Sequence, residues 1–223
     1  MDARLDFAVE LEQQDRALAQ RLEALAELGH AVAGLRAGAE AVRAFNQALP
    51  AERTHLDDAG AEATRALEGA RAALAAAQDA VGRARGEDAR AAAHRDEARA
   101  TSALRVAEER LERLRGRRSA LEREAGQRGA EAAELDRRAR ELAGRLAESP
   151  RVSATAPAEP GLEGVLDWAA RAHAALLVAR GGLESERERI VREANELASS
   201  VLGEPLHSTS VALVRARLEE ALR

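Results

Sequence analysis

The chain has no cysteine, no lysine and no tyrosine, and its only aromatic residues are Phe7, Phe45 and Trp168. Without cysteine there is no disulfide, no thiolate nucleophile and no zinc–thiolate cluster. Without lysine there is no P-loop cation and no Schiff-base amine. All 34 basic residues are arginine, a bias that GC-rich coding DNA produces and that leads us to expect a bacterial source. The start, MDARLDFAVELEQQ, alternates charged and apolar residues and lacks the apolar core of a signal peptide. No stretch approaches the ~20 apolar residues of a membrane span, so a cytoplasmic location is expected. The net charge of −5, with both signs interspersed, gives no electrostatic footprint for nucleic acid.

What is present in abundance is alanine, the best helix former, which supplies most of the 46% hydrophobic content, beside 33% charged residues. Alanine buries little area, so at roughly 25 cal/mol per Å² it cannot build a thick core. This balance points to long helices paired along thin seams.

The apolar stripes lay out those helices. A first helix is expected from about Ala3 to Leu49, with Ala8, Leu11, Leu18, Leu22 and Leu25 leading into Leu28, Ala31, Leu35, Gly38, Val42, Phe45 and Leu49. Pro50 suits a helix start, so a turn is expected there, followed by a central helix from about Glu52 to Glu148 that would be on the order of 145 Å long. The stripe of that helix changes face across HRDEARATSALRV (94–106): Leu56 to Ala84 follow one register, and Leu104 to Leu146 follow another. We read this as a change of partner. Folding back at Pro50 would oppose Leu49 to Leu56 and Val42 to Ala63. A third helix from about Leu162 to Leu202, after the proline-rich linker 149–161, would return along the second half of the central helix, in one register opposing Ile190 to Leu111.

The expected architecture is therefore all-α: an elongated antiparallel coiled coil, Z-shaped, with a polar elbow at about 85–103. Its domains would be a hairpin over 1–102, a second hairpin over 103–202 and a short amphipathic helix over 203–223. The last would be capped by Ser208, Thr209 or Ser210 and carry Val211, Val214, Leu218 and Leu222 on one face. The alternative is a compact bundle of four or more helices with the central helix broken near Gly86, since GRARGED is rich in helix-weakening glycine.

Few residues suggest chemistry. Glu27 with His30 and Glu52 with His55 have the Glu-x-x-His spacing of di-iron bundles, but they lie about 30 Å apart along the expected hairpin and read as solvated helix faces. His94 with Glu97 reads as a surface ion pair, and His173 as a seam histidine among alanines and leucines. No phosphate loop and no hydrolase order of residues occurs. No catalytic residue, metal or cofactor is expected.

The one stretch with excess hydrophobicity is GVLDWAARAHAALLVA (164–179), where Val165, Trp168, Ala172, Ala175, Leu177 and Val178 widen the apolar arc to roughly 200°. One partner helix needs less. Either the linker or the terminal helix covers it, or it is a docking face anchored by Trp168.

The long helices resemble membrane-remodelling proteins of the phage-shock-A type, whose basic amphipathic first helix has no counterpart in MDARLDFAVELEQQ. The charged heptads resemble the arms of SMC-like ATPases, without either nucleotide-binding head. Coiled-coil proteins ending in a zinc ribbon need cysteines. No diagnostic motif is matched, and no family is assigned on these grounds. The expectation is a non-enzymatic scaffold or spacer that binds a partner protein or a second copy through helical faces. A membrane-surface or filament-forming protein, or an accessory subunit of an ATPase, is the alternative.

Overall fold

The computed structural model describes residues 3–149, 152 and 155–222. Every regular element among them is a helix: α1 (Ala3–Arg83), α2 (Glu87–Ala147), α3 (Leu162–Leu202) and α4 (Val211–Ala221). The all-α class, the long helices and their antiparallel packing agree with the sequence reading. The boundaries differ in one decisive place. No turn forms at Pro50, which lies inside α1.

A proline in a helix interior removes one backbone hydrogen bond and crowds the carbonyl four residues back, at about 3 kcal/mol. Pro50 stands on the exposed face, so water can satisfy the carbonyl it leaves free, and Thr54 Oγ donates to the Pro50 carbonyl at 3.0 Å. What carries the helix through is its apolar row. Val42, Phe45, Leu49, Glu52 and Leu56 step by three and four across the proline, and each is buried or half-buried. Leu49 and Leu56 are thus one heptad apart on the same face, not opposed across a bend.

The helices part instead at Gly86, the position of the alternative break. Its φ of 93° lies where only glycine escapes a Cβ penalty. Glu87 and Asp88 follow in the first turn of α2, where carboxylates favour the positive end of the helix dipole. The continuous helix over 52–148 is therefore two helices. The jump of the stripe across residues 94–106 is the trace of a hairpin: beyond the turn the row runs Ala93, Glu97, Ala100, Leu104, Ala107 in an unbroken four–three rhythm.

The described chain forms two compact units, Met1–Glu40 with Ala132–Arg223, and Ala41–Glu131. They divide both long helices. Within the 41–131 unit, α1 and α2 pair antiparallel about Gly86. Asp57 meets Arg118 at 2.8 Å, Glu52 meets Arg117 at 3.5 Å and Glu62 meets Arg110 at 3.6 Å. Arg53 grips Glu122 through Nε and Nη2 at 3.1 and 2.8 Å. The Arg128 guanidinium lies 5.7 Å from the centre of the Phe45 ring. Exposed pairs of this kind contribute about 0–1 kcal/mol each; their larger effect is to fix the register. Arg118 and Arg128, which stand at seam positions of α2, carry their charged heads out to Asp57 and Glu131.

In the other unit, three helices meet in cross-section. Gly38 of α1 faces Leu135 of α2 so closely that a β-carbon there would stand 3.2 Å from a leucine methyl. The third member is α3, which packs on α1, as the 2.6 Å bond from Arg187 Nε to Asp15 Oδ1 records, and does not return along the second half of α2. Leu111 and Ile190, opposed in one expected register, fall in different units. α4 lies on α3 and is held to α1 by Arg215 Nη1 on Glu12 Oε2 at 2.7 Å.

The loop into α4 is pinned by side chains. Asn195 Nδ2 donates to the Ser208 carbonyl and Asn195 Oδ1 accepts from the Ser208 N–H, both at 2.8 Å. Ser210 is the N-cap residue by backbone geometry but makes no side-chain cap bond. Val211, Val214 and Leu218 are buried as the stripe predicts, and Leu222 is half-buried. Among the described residues no helix is long and apolar enough to cross a membrane.

Candidate functional site

The hydrophobic stretch of α3 divides into an inner and an outer half. Val165, Trp168 and Ala172 are sealed in the core at 0%, 1% and 0% exposure, and Ala175 is half-buried. Trp168 therefore presents no surface to a partner in this conformation. The arc is wide because α3 has neighbours on several sides, so more of its circumference is interior than one antiparallel partner requires. His173, expected in the seam, is exposed, as is Arg180 one heptad on. The helix is rotated so that Ala172, Leu176, Ala179 and Leu183 face inward.

Leu177 and Val178 remain outside, at 56% and 77% exposure. They sit in an outward row with Ala170, Ala174, Gly181 and Ser185, all exposed. The spacing of four, three, one, three and four keeps that row within roughly 100° of arc over about four turns. No charged residue interrupts it, although Arg171, Arg180 and Glu184 flank it. A single exposed leucine needs no explanation; two adjacent large residues on an uncharged row do.

The same unit has an open cleft of about 890 Å³ between α1 and α3, with Leu22, Ala26 and Val191 among its apolar lining and His207 to Thr209 at one end. Its charged lining is largely paired within the chain. Arg180 holds Glu184 at 2.7 Å, and Arg187 holds Asp15. Asp15 keeps the Arg187 guanidinium charged beyond its ordinary range, mainly through the hydrogen bond and the attraction of the carboxylate.

Beside this pair, Glu12 is 4% exposed and lies between Arg16 and Arg215. The sequence reading missed this cluster. Its signal was a gap: Asp15 occupies the seam position between Leu11 and Leu18, as Arg187 does between Leu183 and Ile190. Opposite charges at seam positions of two helices can meet.

The Glu-x-x-His units do not converge. His30, His55 and Glu27 are exposed, and Glu52 is turned toward Arg117. His94 Nδ1 lies 3.2 Å from Glu97, as the spacing predicts. Among the described residues no group of three or more His, Asp or Glu side chains could hold a metal ion. No protein-family model matches the chain, and neither curated proteins nor solved structures give a match.

Proposed function

We propose that the protein is a non-catalytic coiled-coil scaffold that captures a helical partner on the outward row of α3 centred on Leu177 and Val178. The observation that carries this reading is the pair itself: two large aliphatic side chains held in water on a rigid helix, flanked by small residues that let another helix approach closely. Helix recognition draws affinity from buried aliphatic surface along one helix face and specificity from the charged rim. Here Arg171, Arg180 and Glu184 would form that rim. The partner is a second protein or a second copy of this chain.

The test places a photo-crosslinking amino acid at Val178 and, separately, at Arg192 of the same helix, in the producing cell. A discrete adduct from position 178, absent from position 192 and lost with Leu177→Glu, supports the reading and identifies the partner by mass. Equal adducts from both positions, or none from 178, overturn it. Cosedimentation of the purified chain with anionic vesicles, undiminished by Leu177→Glu, would replace it with a membrane-surface role.

A further inference from the structure

The core beneath the proposed docking row contains an anomaly. Trp168 is 1% exposed, yet its indole N–H is buried with no hydrogen-bond partner among the described residues. A buried donor without an acceptor favours any rearrangement that lets water reach it. The neighbouring segment is suited to provide one. Residues 155–161 carry Pro157 and Pro160, which have no N–H to donate, and only Pro157 among these residues is buried.

The segment crosses the Gly164 end of the row that holds the tryptophan. Gly164, Trp168 and Ala172 stand at i, i+4 and i+8, on one side of α3. A β-carbon at Gly164 would overlap the Glu159 carbonyl oxygen and stand 2.9 Å from its carbon. The chain therefore passes directly over the Gly164 end of that row, and only glycine admits it. Its C-terminal end is tied at Gly161, whose N–H donates to Asp136 Oδ1 at 3.0 Å and whose carbonyl accepts from Val165 N–H at 3.0 Å. Exposed backbone and sparse apolar contact place a segment at the low end of local stability.

We infer that residues 155–161 form a latch over the Gly164–Trp168–Ala172 row, seated in the notch at Gly164 and tied by Asp136, which opens while the helices stay folded and uncovers Trp168. Closed, the latch gains burial of Pro157 and the Asp136 bond. Open, it frees the indole N–H to water. The opposition of these terms makes it a two-state element and not a permanent part of the core. The inference does not depend on a partner at Leu177 and Val178.

Trp168 is the only tryptophan and there is no tyrosine, so fluorescence reads this site alone. In the full chain, Gly164→Val is expected to raise the acrylamide quenching constant of Trp168 about threefold and shift its emission to the red, with helical circular dichroism unchanged. Asp136→Ala should do the same to a smaller extent, and Gly182→Ala, with open space around its Cα, should do neither. Unchanged quenching in Gly164→Val, or quenching that rises only in step with lost helicity, would overturn the latch. Hydrogen exchange of the wild-type chain decides the matter if the valine variant does not fold. An indole N–H exchanging about tenfold or more faster than the backbone amides of α3, at a rate insensitive to low denaturant, supports local opening. Exchange of both at one denaturant-dependent rate overturns it.

Discussion

The same α1 and α2 helices are buried to very different depths in the two units. Between residues 41 and 131, where they have only each other, Leu74, Leu104, Leu111, Leu114 and Leu121 remain half-exposed, and only Leu56 and Leu67 are buried leucines. In the other unit, where α3 joins them, Leu11, Leu18, Leu25, Leu28, Leu35, Leu135, Leu142 and Leu146 are all buried. The residue type and the heptad spacing are the same. What differs is the number of neighbours: two helices cover a seam residue from one side, and a third closes the remaining arc. Packing therefore contributes less per leucine in the 41–131 unit, which leans more on helix propensity, than in the other unit.

That contrast can be tested from its strongest point downward. Trp168→Ala removes the largest fully buried side chain, and truncations of this kind cost about 3–5 kcal/mol. Urea unfolding followed by circular dichroism should then separate into two transitions, the earlier from the three-helix unit; a single shifted transition would mean that the units melt as one. A matched pair comes next. Leu146→Ala, at 0% exposure, should cost about 3–4 kcal/mol, whereas Leu111→Ala, half-buried, should cost about 1–2 kcal/mol. Equal losses in chemical denaturation would erase the distinction between two-helix and three-helix burial.

Glu12→Gln keeps the shape but removes the charge between Arg16 and Arg215. Breaking a fully buried pair costs about 3–5 kcal/mol, but Arg215 is 35% exposed, so water reduces the expected loss to about 1–2 kcal/mol. A thermal melt in which the α4 side of the three-helix unit loosens first is the expected sign.

The smallest effect is at Glu134. The side-chain hydrogen bond from Arg137, then that from Arg138, lowers its carboxyl from 4.5 to about 2. Because the folded value lies below the ordinary one, the stabilisation is complete above about pH 4.5 and fades as pH falls toward 2. A carboxyl-carbon NMR titration should find Glu134 ionised at pH 3 and, in Arg137→Ala, titrating closer to 4.5.

Much of this architecture was legible, but some of it was legible only in hindsight of the right rule. Helix type, the end of the third helix at Leu202, and the terminal helix with its buried face followed from spacing and composition. Pro50 points to a turn, but the continuous apolar row around it outweighs the cost of one exposed proline. Leu49 and Leu56 are seven residues apart, and that heptad belonged to one helix. The register jump before Leu104 was visible, but a reversal of chain direction and a change of partner both produce one. The core around Trp168 could not be assigned because a wide apolar arc looks the same whether three neighbours or a binding partner will cover it. Of the expected docking residues, the two farthest along α3 are the ones left in water.

The turn at Gly86 also bears on how much chain each contact must close. The unit it organises is continuous in sequence, and its layers can close outward from the turn. Each added layer enlarges the loop by a few residues, at an entropic cost that grows only logarithmically. Arg53 and Glu122, 69 residues apart, meet late in that zipper. The other unit is discontinuous, and its Asp15–Arg187 contact spans 172 residues. Made unaided, that contact would close a long loop; with the chain between 41 and 131 already joined in the hairpin, less chain is left to close. The turn thus lowers the effective contact order of the unit that lies farthest from it in sequence.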